Sequence, residues 1–163
     1  MMNIFARTLG GYFSDRAGAR WGMTGRVRLL FLMVLVEGGA LVLFSRIGML
    51  AAAIAAMIVF SVFVQMAEGA TFGVVPFINP AALGGVAGIV GAGGNAGAVA
   101  AGFLFGREGM PMEQALLYLG LAVAAVSSTA LLVGLRMPEA ATADASAAAH
   151  GARKRTAPKL AEA

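Results

Sequence analysis

Residues 50–75, LAAAIAAMIVFSVFVQMAEGATFGVV, decide the class of fold. The run holds one charged side chain, Glu68, and exceeds the roughly 20 apolar residues that a helix needs to cross a bilayer. Working outward, three more stretches meet the same test, at roughly 27–45, 83–105 and 115–135. Residues 1–13 are apolar but too short to span, and read as the last half of a helix. The sequence therefore predicts an all-α, polytopic membrane protein built from a half-helix and four transmembrane helices over residues 1–138.

Composition points the same way. Of the 163 residues, 60% are hydrophobic and 12% charged, about half the charge of a soluble globular chain. Mean hydropathy is +0.84. A soluble domain with so little charge could not cover its own surface, and disorder requires low hydrophobicity. There is no cysteine, which excludes a disulfide scaffold, a thiolate metal site and a cysteine nucleophile. No nucleophile–base pair or metal cluster is visible, so neither an enzyme nor a metal or cofactor is expected, and nothing points to nucleic acid. Arg7 sits inside the first apolar stretch, where a signal peptide keeps charge out.

From Glu139 the composition shifts to alanine and then to basic residues. Residues 139–163 read as a disordered basic tail, with the single histidine, His150, solvated. Its Arg153-Lys154-Arg155 cluster suits anionic lipid, at roughly 1 kcal/mol per basic residue near the surface. Nine basic residues fall on one side of the spans: Arg16, Arg20, Arg26, Arg28, Arg136, Arg153, Lys154, Arg155 and Lys159. Arg46 and Arg107 fall on the other. Positive loops face the cytoplasm, so the Asp15 loop and the C-terminus are expected inside, in a bacterial-type inner or plasma membrane.

The segment Gly10-Gly11-Tyr12-Phe13-Ser14-Asp15-Arg16-Ala17-Gly18-Ala19-Arg20 reads as a turn between two helices. Two glycines permit close helix contact, Asp15 can cap a helix or pair with an arginine, and Gly18 suits a tight bend. Its G-x-x-x-D-R-x-G spacing resembles the cytoplasmic loop motif of the major facilitator superfamily. The resemblance implies a structural and gating role for Gly11, Asp15, Arg16 and Gly18, and four following spans fit its second, degenerate copy.

Arg7 lies eight residues before Asp15, about 12 Å along a helix, and so near the middle of a hydrocarbon core about 30 Å thick. Charge at that depth costs about 2.5–3.5 kcal/mol on insertion scales. Snorkelling, or pairing with an acid on another helix, would relieve the cost. An anion in a central cavity would too, and the planar guanidinium fork meets two oxygens of a planar oxyanion at once. Residues 81–106 are glycine-rich, with Gly84/Gly88 and Gly93/Gly97 at the four-residue spacing of close helix packing. Asn95 is the strongly polar side chain in their midst. The run lacks the Lys-Ser/Thr end of a phosphate loop, and no strand precedes it. Two acids also lie in spans: Glu37 is deep, and Glu68 is placed where arginines of the Asp15 loop could reach it. Pairing or interhelical hydrogen bonding is expected of both in preference to proton coupling.

Three motifs in order narrow the resemblance. Met2-Asn3-Ile4-Phe5-Ala6-Arg7 with Gly10-Gly11 and Ser14-Asp15-Arg16 looks like the end of helix eight of the nitrate/nitrite porter branch of that superfamily. Residues 63–77 resemble its helix ten. Residues 87–99 resemble its second nitrate signature, on helix eleven. The resemblance implies a partial major-facilitator-type bundle, in which whole members hold substrate between two six-helix halves. It implies nitrate or nitrite transport, with Arg7 as one of two anion-binding arginines and Gly91, Gly93, Gly94, Asn95 and Gly97 as the second signature. The second arginine and the first signature have no counterpart here, so a missing N-terminal transporter half is the expected partner, beside the anion and membrane lipid. A facilitator for another small anion is the alternative within transporters. A small membrane interaction protein with a glycine-rich oligomerisation face is the alternative outside them. An open frame upstream of Met1 encoding about seven further spans would mark a truncated gene model; a stop codon just upstream would favour a split or decayed gene.

Overall fold

The computed structural model describes residues 2–136; the tail at 139–163, with His150 and the Arg153-Lys154-Arg155 cluster, lies outside the described residues. The elements are α1 (Met2–Phe44), α2 (Leu50–Ile78), a single 3-10 turn (Pro80–Ala82), α3 (Leu83–Phe105) and α4 (Met112–Arg136). All four α-helices are long and apolar enough to cross a membrane, and no strand occurs among the described residues. The chain is an all-α polytopic membrane protein. Large apolar side chains such as Phe5, Leu50, Ile89 and Phe103 face outward. Lipid solvates them, and each helix satisfies its backbone polar groups internally.

α1 is a helical hairpin. Its dihedrals leave the helical region at Trp21 (φ −131°, ψ 16°) and Gly22 (φ 60°, ψ −151°). The second pair lies in a region open essentially to glycine alone. Two arms result, residues 2–20 and 23–44. Ala6 of the first packs in one cluster with Met33 of the second. The Arg26 guanidinium reaches Asp15 at 2.7 Å, although in an unbroken helix their Cα atoms would stand about 16 Å apart.

Two expectations are corrected here. The N-terminal helical stretch does not stop at Phe13: the first arm runs on to Arg20, about 28 Å from Met2. Nor is 10–20 a turn, because the chain reverses at Trp21–Gly22. Gly18 stays helical, and its missing side chain leaves room for the Arg26 guanidinium, which a Cβ there would strike.

The second arm is the central element. Met33 packs with Met66 and Ala67 of α2. Gly38 lies so close to α4 that an added Cβ would stand 2.7 Å from the Ala124 nitrogen and 2.8 Å from the Gly120 oxygen. The first arm lies on α2 backbone to backbone. A Cβ on Gly10 would collide with the Met66 carbonyl, and one on Gly69 with the Arg7 carbonyl.

α3 stands apart. Asn79 closes the turn before it by accepting the Ala81 N–H at 3.1 Å. Beyond the turn no residue of α3 is buried. At each glycine from Gly84 to Gly102, an added Cβ would find nothing within 4 Å. Within the described residues, then, the glycines of the run read as a packing surface face open space. Met23 and Val27 pack with Val74, Phe77 and Ala130, which brings the hairpin tip and the C-terminal ends of α2 and α4 to the same end of the bundle.

Glycines in contact and glycines in open space should respond oppositely to substitution. Gly69→Val is expected to destabilise by at least the roughly 1–3 kcal/mol typical of overpacking. Gly94→Ala should be neutral or gain up to about 1 kcal/mol from helix propensity. Thermal melting of the purified variants in detergent checks the pair; equal effects would refute the α1–α2 contact.

Candidate functional site

The close approach of Gly10 and Gly69 sets the geometry around Arg7. With no side chain between the helices, Arg7 on the first arm faces α2 directly. An Arg7 Nη2 donates to Glu68 Oε1, forming an ion pair across the two helices. The guanidinium also lies over the Phe72 ring, 5.4 Å from its centroid. Glu68 and Phe72 are four residues apart on one helical face, so a single turn of α2 supplies both contacts. The pair remains accessible, with side-chain exposures of 47% for Arg7 and 42% for Glu68. Among the described residues, no other acceptor is bonded to Arg7.

Two cavities flank this contact. One, about 610 Å³, is lined by Arg7, Thr8, Gly11, Asp15, Gly69, Phe72 and Gly73. The other, about 540 Å³, lies between α2 and α3, with the second arm contributing Val34 and Glu37. Its walls include Glu68, Thr71 and Phe72 on α2 and Gly91, Gly94 and Asn95 on α3. Phe72 lines both. Arg7 opens into the first and Glu68 into the second, so the ion pair and the Phe72 ring form the partition between them.

The sequence-expected residues thus divide. Arg7, Gly11 and Asp15 share one cavity; Asn95, Gly91 and Gly94 share the other; Gly93 and Gly97 line neither. Arg16 is exposed on the first arm. Glu68 pairs with Arg7 and not with an arginine of the 10–20 segment, because the segment is helical and carries its side chains around the first arm. Glu37 faces the Asn95 cavity and has no hydrogen-bond or ion-pair partner among the described residues.

A second arginine closes the end of the hairpin. Arg26 Nη1 donates to Asp15 Oδ1 at 2.7 Å, to the Gly73 carbonyl at 3.2 Å and to Ser14 Oγ at 3.4 Å, and its guanidinium covers the Phe77 ring at 4.7 Å. Only 13% of its side chain is exposed, against 72% for Asp15. Sequence reasoning counted Arg26 only as a positive loop charge, and it missed Glu68 and Phe72 as partners of Arg7. A signal for Glu68 was present: a cation at mid-membrane depth calls for an acid at similar depth, and the spans offered only Glu37 and Glu68.

The arrangement defines a membrane protein with a half-exposed arginine–glutamate pair set between two cavities. Its relatives narrow the class. The chain is 45% identical over 120 residues to high affinity nitrate transporter 2.7 of Arabidopsis thaliana, covering 73% of this chain and 24% of that protein. It is 38% identical over 136 residues to high-affinity nitrate transporter 2.3 of Oryza sativa subsp. japonica, covering 82% and 26%. It is 42% identical over 102 residues to the nitrate/nitrite transporter NrtP of a Picosynechococcus species, covering 61% and 18%. The chain belongs to the nitrate/nitrite porter family of the major facilitator superfamily, and spans about a quarter of the length of the relatives it matches. No family model and no solved structure matches it.

The two partners of the Arg26–Asp15 ion pair differ in burial, and mutation should separate them. Arg26→Ala should cost about 3 kcal/mol, because it empties a largely buried position and frees the Gly73 carbonyl. Asp15→Asn should cost no more than about 1 kcal/mol, as for an exposed partner. Unfolding of the purified chain in mixed micelles measures both; equal losses would contradict the burial difference.

Proposed function

We propose that this chain forms the substrate-facing C-terminal part of a nitrate/nitrite transporter and is not an enzyme. The observation that carries the reading is Arg7: a cation at membrane depth, fixed by backbone contact between two helices, with half its side chain open to a cavity. The relatives, named as nitrate and nitrate/nitrite transporters, support nitrate and nitrite as the anions. In this reading Arg7 supplies charge-assisted hydrogen bonds to two oxygens of the anion. Asn95, with Gly91, Gly93, Gly94 and Gly97, presents a bare, weakly polar surface on α3 against which another helix can close.

The rest of the transporter, with a second arginine, is the partner this reading requires, since alternating access needs two bundles moving about one site. Gly11, Asp15, Arg16 and Gly18 belong to the gating end, and Arg26 is the residue that ties that end to α2. The basic hairpin end, and with it the C-terminus, faces the cytoplasm of an inner or plasma membrane by the excess of positive charge there.

In a transporter containing this chain, Arg7→Lys keeps the charge and loses the fork. Nitrate uptake at limiting nitrate is expected to fall about tenfold or more, the equivalent of one charge-assisted hydrogen bond. Competition of labelled nitrate by nitrite, chlorate and small carboxylates tests the substrate class. Unchanged uptake in the lysine variant would overturn the role of Arg7, and stronger competition by a carboxylate than by nitrite would move the substrate to another anion.

A further inference from the structure

The partition between the two cavities has a consequence for how an anion reaches Arg7. The guanidinium is already neutralised by a carboxylate of the same chain. Inside a membrane such pairing is what makes the charge tolerable, and a neutral pair exerts little pull on an incoming anion. Other donors of the guanidinium stay open, but a free anion meets its full positive charge only when the Glu68 carboxylate leaves.

Three features make that exchange feasible. The pair is half exposed on both sides, so no wall of protein has to move before the anion arrives. The backbones carrying it are locked at Gly10 and Gly69, so the side chains can part without the helices separating. Finally, the Phe72 ring lies under the guanidinium at 5.4 Å and can hold its plane when the carboxylate leaves, because a guanidinium stacks on an aromatic face independently of its hydrogen bonds. Glu68 in turn lines the Asn95 cavity and has space there to withdraw into.

We propose that Glu68 is the resident counter-anion of Arg7, a built-in competitor that the transported anion must displace, and that the displacement opens the partition between the Arg7 cavity and the Asn95 cavity. The inference rests on the reading of Arg7 as the anion-binding residue. Glu68 is a positioning and specificity residue in this scheme: it sets the threshold of affinity at which an anion wins the guanidinium.

The test uses a purified transporter containing this chain, in lipid nanodiscs, with nitrate, nitrite, chloride and formate as probes in equilibrium dialysis. Glu68→Gln is expected to bind nitrate roughly tenfold more tightly than the unmodified form, within the ordinary range of coupling between two ligands of one site. It should also gain measurable chloride binding, and the gain should vanish in the Arg7→Gln/Glu68→Gln double variant. Glu68→Asp keeps the charge but shortens its reach, so its gain should be smaller, about threefold by the same reasoning; a purely long-range effect of charge would give none. Helical circular dichroism and monodispersity establish that each variant is folded. Should the glutamine variant fail to fold, the aspartate variant decides, and absence of any gain in it overturns the proposal. Equal or weaker nitrate binding by a folded Glu68→Gln chain also overturns the proposal and leaves the nitrate reading standing. A gain for formate or chloride without one for nitrate leaves the competitor role standing and overturns nitrate as the substrate. Binding of none of the four anions by either form overturns both.

Discussion

The site depends on the contact between the first arm of α1 and α2 at Gly10 and Gly69. In lipid there is no hydrophobic force to press two apolar helices together, so association rests on van der Waals contact and polar bonds across the interface. Glycine maximises the first by bringing backbone onto backbone: Gly10 faces the Met66 carbonyl and Gly69 the Arg7 carbonyl. The second follows from it. A separation set by side chains would leave Arg7 and Glu68 several ångströms further apart, each a charge in hydrocarbon. At glycine separation they meet, and Phe72 comes under the guanidinium.

Two arginines of the hairpin, Arg7 and Arg26, stand in contrasting states. Arg26 is almost enclosed and spends its donors on Asp15, Ser14 and a backbone carbonyl of α2. Such a residue has little left for a ligand, and its environment is that of a clasp. It joins the two arms and fixes the end of α2 to them. Arg7 makes one ion pair and keeps half its side chain open to a cavity. Burial and donor use thus separate the two: Arg26 has its donors committed, while Arg7 keeps donors and surface open, although both face the same helix.

The spans were legible because the bilayer imposes length and apolarity on any helix that crosses it, and residues 50–75 could hardly satisfy that accidentally. Arg7 was legible for the complementary reason, as a charge where charge is expensive. The reversal was not. Gly18 and Gly22 are equally good bends in a one-dimensional reading, and only the side chain of Arg26, which needs the space at Gly18, separates them. Nor was the partner of Arg7. In a soluble protein the apolar stripe of a helix shows which face is buried, but a helix that is apolar all round gives no such bearing. The rotation of α2 that turns Glu68 towards Arg7, and away from the loop arginines, is encoded in Gly69, whose role appears only once the facing backbone is in place.

α3 poses the remaining physical question, since its glycines touch nothing among the described residues. In water such a helix would be poor, each glycine costing about 1 kcal/mol relative to alanine. In hydrocarbon the backbone has no water to turn to, so an open helix exposes unsatisfied groups and the penalty for staying helical is offset. Glycine can therefore be spent on α3 for shape. The shape it yields is a smooth face carrying Asn95, set across a cavity from Glu68, Thr71 and Phe72. A helix held so lightly by its own chain can shift against α2 at small cost, whereas the arm–α2 contact cannot. The rigid wall of the cavity carries the charge, and the movable wall carries the glycines and the amide. That division keeps the backbones carrying the Arg7–Glu68 pair fixed and leaves the opposite wall of the cavity free to shift.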